Sequence, residues 1–390
     1  MYIKNAKIFT MGEQGIIENG YVLFKDCVII DLGEMSDFSP SEDTKIIDAK
    51  GACFFPGFID AHTHLGMWED SLDFEGNDGN EQTSPSMPQL RAIDAINPVD
   101  KCFKEALEAG ITTVVTGPGS ANPIGGQMVA MKTFGRRIDD MIVKAPVAIK
   151  FALGENPKRV YSEKDQTPMT RMGTVSIIRE QLYKAKEYLK LLDDQLTQDD
   201  ADPIEYDIKC EALIPLLKHE IKAHFHAHRA DDIFTAIRIA KEFSLDYTIV
   251  HCTDGAFIAD DLAKEQVTAL CGPLICDRSK PELKSLSPQT PSLLSKSGVS
   301  VAIISDHPVI PVQYLPLSAG LAVRDGMDYY EAIKAITINP AKICNIDDRV
   351  GSIEIGKDAD FAVFDGDPLS VYSVPKAVIC GGKLVSGDFF

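Results

Sequence analysis

The chain has 390 residues, more than one hydrophobic core usually organises, so a large domain with a smaller companion is expected. Its 45% hydrophobic and 25% charged content is ordinary for a soluble globular protein, and no apolar stretch reaches bilayer-spanning length. A net charge of −19 excludes nucleic acid and anionic membrane as partners, since both repel an acidic surface.

From its first residues the chain reads as a strand and lacks the apolar block of a signal peptide. Nine cysteines, an odd number without a C-x-x-C pair, read as reduced thiols in a cytoplasmic protein. Residues 1–54 are strand-like runs (2–9, 21–25, 28–32 and 45–48) broken by turns, and 346–390 repeat that texture. The two ends are therefore expected to share one small β-sandwich domain, with 55–345 as a separate unit. In that middle region short apolar runs alternate with helical periodicity, the pattern of a parallel α/β fold.

Eight strands are expected there, at 58–65, 111–117, 127–132, 146–153, 221–226, 247–251, 267–272 and 299–305. Helices fit at 100–109 and 231–243, each begun by an aspartate suited to a helix N-terminus, and at 175–192. Eight strands with intervening helices define a (β/α)8 TIM barrel, whose active site lies at the C-terminal ends of the strands. Two long loops, 66–98 with the single tryptophan Trp68 and 154–174 with several basic residues, follow strands and should overhang that mouth.

Histidine placement carries the chemistry. Asp60, His62 and His64 close the first strand; alternation along a strand puts both imidazoles on one face, and neutral imidazole is the commonest zinc ligand. His224, His226 and His228 share one face of the fifth strand, so period alone cannot choose among them. His226 lies nearest the strand end and is the expected ligand, with His224 deeper and His228 rising toward substrate. His251 closes the sixth strand, where an unligated buried imidazole would be costly. Asp306 ends the eighth strand, where one carboxylate oxygen can bind metal while the other takes a proton from the attacking water. Glu155, just past the fourth strand, is expected to bridge two metals, with a carbamylated Lys150 as its rival. Lys158, Arg159, Arg171 and Arg229 are candidates to clamp an anionic substrate, and His228 and His307 to hydrogen-bond its carbonyl.

Together these residues resemble the metal-dependent amidohydrolase superfamily, and within it the imidazolonepropionase-like group. Beyond the strand-end residues the likeness includes Thr337, Asn339, Pro340 and Ala341 and the tail from Gly351 to Asp360. It implies that His62 and His64 hold one metal and His226 and His251 a second, with a bridging carboxylate and Asp306 as general base and then acid. The expected cofactor is one or two divalent ions, zinc ahead of manganese or iron. The expected reaction is hydrolysis of an amide or cyclic amide of a small molecule. Rival readings are a deaminase of a nitrogen heterocycle, a metal-dependent dipeptidase, and a catalytically dead barrel kept as an assembly partner. A homo-oligomer is the default expectation for such an enzyme.

Overall fold

A computed structural model describes residues 1–40, 45–70, 72–197 and 204–388. Among them, sixteen strands form two sheets. The chain opens with β1 (Tyr2–Phe9), β2 (Ile16–Lys25), β3 (Val28–Glu34), β4 (Ile46–Asp48) and β5 (Cys53–Pro56). The barrel follows as β6 (Phe58–Thr63), β7 (Ile111–Thr116), β8 (Ile124–Lys132), β9 (Ile142–Ala152), β10 (Lys222–Ala227), β11 (Tyr247–His251), β12 (Thr268–Cys271) and β13 (Ser300–Ile303). The last three are β14 (Phe361–Phe364), β15 (Ala377–Cys380) and β16 (Lys383–Gly387).

The barrel strands pair in sequence order from β6 to β13. Every residue of β6 and β7 is buried, as strands covered on both faces must be. One strand departs from the expected all-parallel arrangement: β8 runs antiparallel to both β7 and β9. Its flanking connections, 117–123 and 133–141, are too short for the crossover of a dozen or more residues that a parallel pair requires.

The seam between β13 and β6 is closed by loop and side-chain hydrogen bonds. The Asp306 N–H donates to His62 O (3.2 Å) and the His64 N–H to His307 O (2.9 Å). Asp60, fully buried, accepts from the His62 N–H (3.2 Å) and from the Ser305 N–H (3.0 Å) across the seam.

Ile59, Ala61, Val115, Ala130, Ala148, Val250, Leu270 and Ala302 come from seven strands and pack in one cluster, which opposed strands can form only inside the barrel. Ile343 and Ile346, at and just beyond the end of the helix Ile338–Ile343, join this filling. The expected helices appear as Lys101–Glu108, Arg171–Thr197 and Ala230–Phe243. The loop expected at 154–174 instead contains the helix Glu155–Ser162, so Glu155 is a first-turn residue rather than a loop residue.

Both ends of the chain build the second sheet, in the order β16-β15-β14-β5-β1-β2-β3, with β4 also on β1. Antiparallel pairing of β14 with β5 joins the late strands to the early ones. Ile3, Ile8, Val22, Phe24, Phe54, Phe361 and Ile379 form its core. Lys132 of β8, its side chain 12% exposed, pairs with Asp358 (2.8 Å) and Asp360 and ties this sheet to the barrel. No helix among the described residues is long and apolar enough to cross a membrane.

Candidate metal centre

Two groups of potential ligand atoms form at the C-terminal strand ends, His62–His251–Asp306 and His226–His228–His251, each with its atoms within 4.8 Å of one another. His251 belongs to both. The rings of His228 and His251 stack at 4.4 Å, and that of His226 lies edge-on to each, at 4.7 and 4.5 Å. His62 Nε2 and His64 Nε2 lie 3.5 and 3.4 Å from Asp306 Oδ1.

Second partners fix several rings. His64 Nδ1 meets Gly117 O at 2.7 Å, His251 Nδ1 meets Gly272 O at 2.7 Å and His228 Nδ1 meets Thr253 Oγ1 at 2.7 Å. With the backbone carbonyls accepting, Nδ1 of His64 and His251 carries the proton and Nε2 is left with its lone pair for a ligand. His251 and Asp306 also hold left-handed backbone, at φ 73° and 55°, an uncommon conformation concentrated at functional sites.

Burial sets the charge states. It holds His62, His226 and His228 well below the usual histidine range and brings His251 down to about 4, so these rings are neutral donors at neutral pH. Burial pushes the Asp306 carboxyl upward, but His251, His64 and Lys150 outweigh it and leave the group below its ordinary value. Burial also brings Lys150 down to about 8, and its Nζ lies 2.9 Å from His62 Nε2.

Each expected site residue can now be located. His62, His64, His226, His251 and Asp306 converge, and His228, expected beside the substrate, falls within a ligand triple. His224 lies one step deeper, fully buried, with neither ring nitrogen hydrogen-bonded. Glu155 is in neither group; its backbone N–H donates to Glu282 Oε2 at 3.1 Å. His307 Nδ1 accepts from the Val312 N–H at 3.2 Å, and the residue does not line the cavity above the metal groups. Arg229 pairs with Asp231 (2.8 Å) and Arg171 with buried Asp232 (2.8 Å), so both are engaged away from that cavity.

The cavity holds about 380 Å³ and reaches His64, Lys150, His226, His228, His251 and Asp306 at its floor. Its walls add Trp68, whose ring meets that of His64 at 4.5 Å, and Arg159. Asn156 and Lys280 line it too; Lys280 Nζ donates to Asn156 Oδ1 at 2.9 Å, and Asn156 Nδ2 donates to Ser120 Oγ at 2.7 Å. Beside it lies Glu282, 2% exposed, with Oε1 4.0 Å from His226 Nε2 and 3.8 Å from His228 Nε2. Sequence reasoning missed Asn156, Lys280 and Glu282. They sit in irregular loops or on a short helix, where neither periodicity nor a histidine marks them.

The residues fit a divalent cation. Glu282 Oε1 is buried without a hydrogen-bond partner beside the Nε2 atoms of His226 and His228, a costly state for a carboxylate oxygen. Neutral imidazoles with carboxylates are a zinc-type donor set.

A barrel with imidazoles and a carboxylate converging at its strand ends is the framework of a hydrolase that works with a divalent metal. The sequence profile of the amidohydrolase family matches residues 54–385, and the chain belongs to that family. Its structure is similar to that of an amidohydrolase from Thermotoga maritima, at TM-score 0.94 and 41% identity over 99% of this chain and 100% of that one. In sequence it is similar to the amidohydrolase tasK of Hapsidospora irregularis, 28% identical over 89% of this chain; the chain spans 38% of that protein's length. It is also similar to an imidazolonepropionase from Alkaliphilus oremlandii, 22% identical over 96% of this chain and 92% of that protein.

Proposed function

We propose that the protein hydrolyses an amide or cyclic amide of a small molecule, using zinc-type ions held by His62, His64, His226, His228, His251 and Asp306. The observation that carries this reading is the pair of ligand groups sharing buried His251 beneath an open cavity of about 380 Å³. A bound divalent cation supplies Lewis acidity, activating water and polarising the scissile carbonyl.

Asp306 does the proton work. Its depressed pKa keeps it a carboxylate at neutral pH, able to take a proton from the attacking water. The same group then returns that proton to the leaving nitrogen, which would otherwise depart as an amide anion. Lys150 is proposed as the bridging group in preference to the Glu155 side chain. Its Nζ lies 2.9 Å from His62 Nε2 on the cavity floor, and addition of the free amine to carbon dioxide would place a carbamate oxygen pair there. Trp68, Arg159, Asn156 and Lys280 are the proposed substrate contacts.

The test pairs elemental metal analysis with turnover of N-acyl amino acids, cyclic amides and dipeptides. Asp306→Asn is expected to keep most of its metal while kcat falls about a thousand-fold, within the range for loss of a general base. Undiminished turnover in that variant would remove Asp306 from the mechanism. Near-zero metal in the wild-type protein after metal-supplemented expression would favour the catalytically dead barrel.

A further inference from the structure

Glu282 follows β12 in the irregular segment between Cys271 and the helix Thr290–Lys296, and it is 2% exposed. One of its oxygens is accounted for: Oε2 accepts from the Glu155 N–H at 3.1 Å, in the first turn of the helix Glu155–Ser162. The other, Oε1, is buried without a hydrogen-bond partner. The nearest fixed cation does not satisfy it, because Lys280 Nζ stays 3.9 Å away and donates instead to Asn156 Oδ1. Facing it are two imidazole nitrogens, His228 Nε2 at 3.8 Å and His226 Nε2 at 4.0 Å. Two ligands each about 2 Å from a shared ion stand roughly 3 to 4 Å apart, so Glu282, outside both compact ligand groups, lies at the upper end of the reach of an ion held by these rings.

The backbone makes room for this carboxylate. Gly154 holds φ 85°, and a Cβ there would come within 2.9 Å of Glu282 Oε2 and 3.2 Å of Asp232 Oδ2.

We propose that Glu282 is a metal ligand, its Oε1 completing with His226 and His228 a cation site distinct from the His62–His251–Asp306 group. The inference rests on the metal reading above and assigns the second ion its own carboxylate. It also gives Glu155 a different part: its backbone N–H orients Glu282, and its side chain need not reach the metal.

The experiment uses the full chain, freed of metal with a chelator and titrated with Zn2+ or Co2+. Wild-type protein is expected to take up two equivalents. Glu282→Gln is expected to lose one, or to bind it at least tenfold more weakly in chelator competition, with an altered visible spectrum of the Co2+ form. A metal-free melting temperature of the variant equal to or above wild type, beside a smaller rise on adding metal, separates a ligand from a structural group. That outcome follows because removing an uncompensated buried charge does not harm the metal-free fold. Unchanged stoichiometry, affinity and Co2+ spectrum would overturn the proposal. If Glu282→Gln does not fold, Glu282→Asp, which keeps the charge and shortens its reach, is judged by the same affinity and spectrum. Wild-type protein that binds no metal would instead overturn the underlying metal reading.

Discussion

Lys150 is the residue on which the site's charge balance turns. It is 1% exposed, 2.9 Å from His62 Nε2, and sensed electrostatically by His224, His226, His228 and His251. An ammonium in such a place repels the very cation its neighbours would hold; a carbamate would attract it. Lys150→Ala is therefore expected to lose at least half its metal and over 90% of its turnover, by roughly the factors that ligand loss brings. Added formate or acetate should restore part of both. Wild-type metal content in Lys150→Ala would return the bridging role to a carboxylate elsewhere. The sequence placed Glu155 ahead of this lysine as the bridge, because the helix that begins at Glu155 was not visible in a Pro-containing, basic stretch. The histidines at strand ends were legible because a buried run closed by imidazole is rare without a purpose. Glu282 was not, since a glutamate in an irregular loop looks like any solvated one.

At the scale of elements, one buried side chain shares with loop hydrogen bonds the closing of the barrel's β13–β6 seam. Asp60 accepts one N–H from its own strand and one from Ser305, and β13 and β6 otherwise meet through loop hydrogen bonds. Asp60→Ala would strand both buried N–H groups at about 1 to 3 kcal/mol each, so a loss of about 2 to 6 kcal/mol is expected in denaturant titration of the metal-free protein. A loss below 1 kcal/mol would show that the seam does not depend on it. The parallel alternation of β6, β7 and β9 to β13 could be read from short apolar runs, whereas the direction of β8 could not. Direction depends on the length of the connections, and residues 117–123 with two glycine pairs nearby look like any barrel loop.

The whole molecule carries an acid liability. Burial holds six histidines (62, 224, 226, 228, 251 and 307) below the usual range, with His224 at about 3 and His251 and His307 at about 4. As pH falls below about 6.5 the unfolded chain gains protons that the native state refuses, and each group then costs about 1.4 kcal/mol per pH unit down to its folded pKa. Asp60, raised to about 7 by burial, and Glu282, also raised, act in the opposite sense, because their native forms keep protons the unfolded chain releases. Six groups against two leave a net loss of stability from pH 6.5 down to about 4. Denaturation midpoints of the metal-free protein should fall steadily across that interval; a flat profile would contradict the burial of these rings. Added metal should raise the midpoints without flattening the slope, since the native rings it binds are already neutral and the unfolded chain still takes up its protons.

The pairing of β5 with β14 has a consequence for the order in which the protein can be made. Phe54 meets Val363 across this junction, so the early strands wait with one edge bare until the whole barrel has been synthesised behind them. A bare edge invites pairing with another chain, and partners so distant in sequence find each other slowly. The barrel must therefore mature while leashed to an unfinished sheet, and Asp358 and Asp360 arrive only after the barrel strands, as the latch that Lys132 of β8 has been waiting to receive.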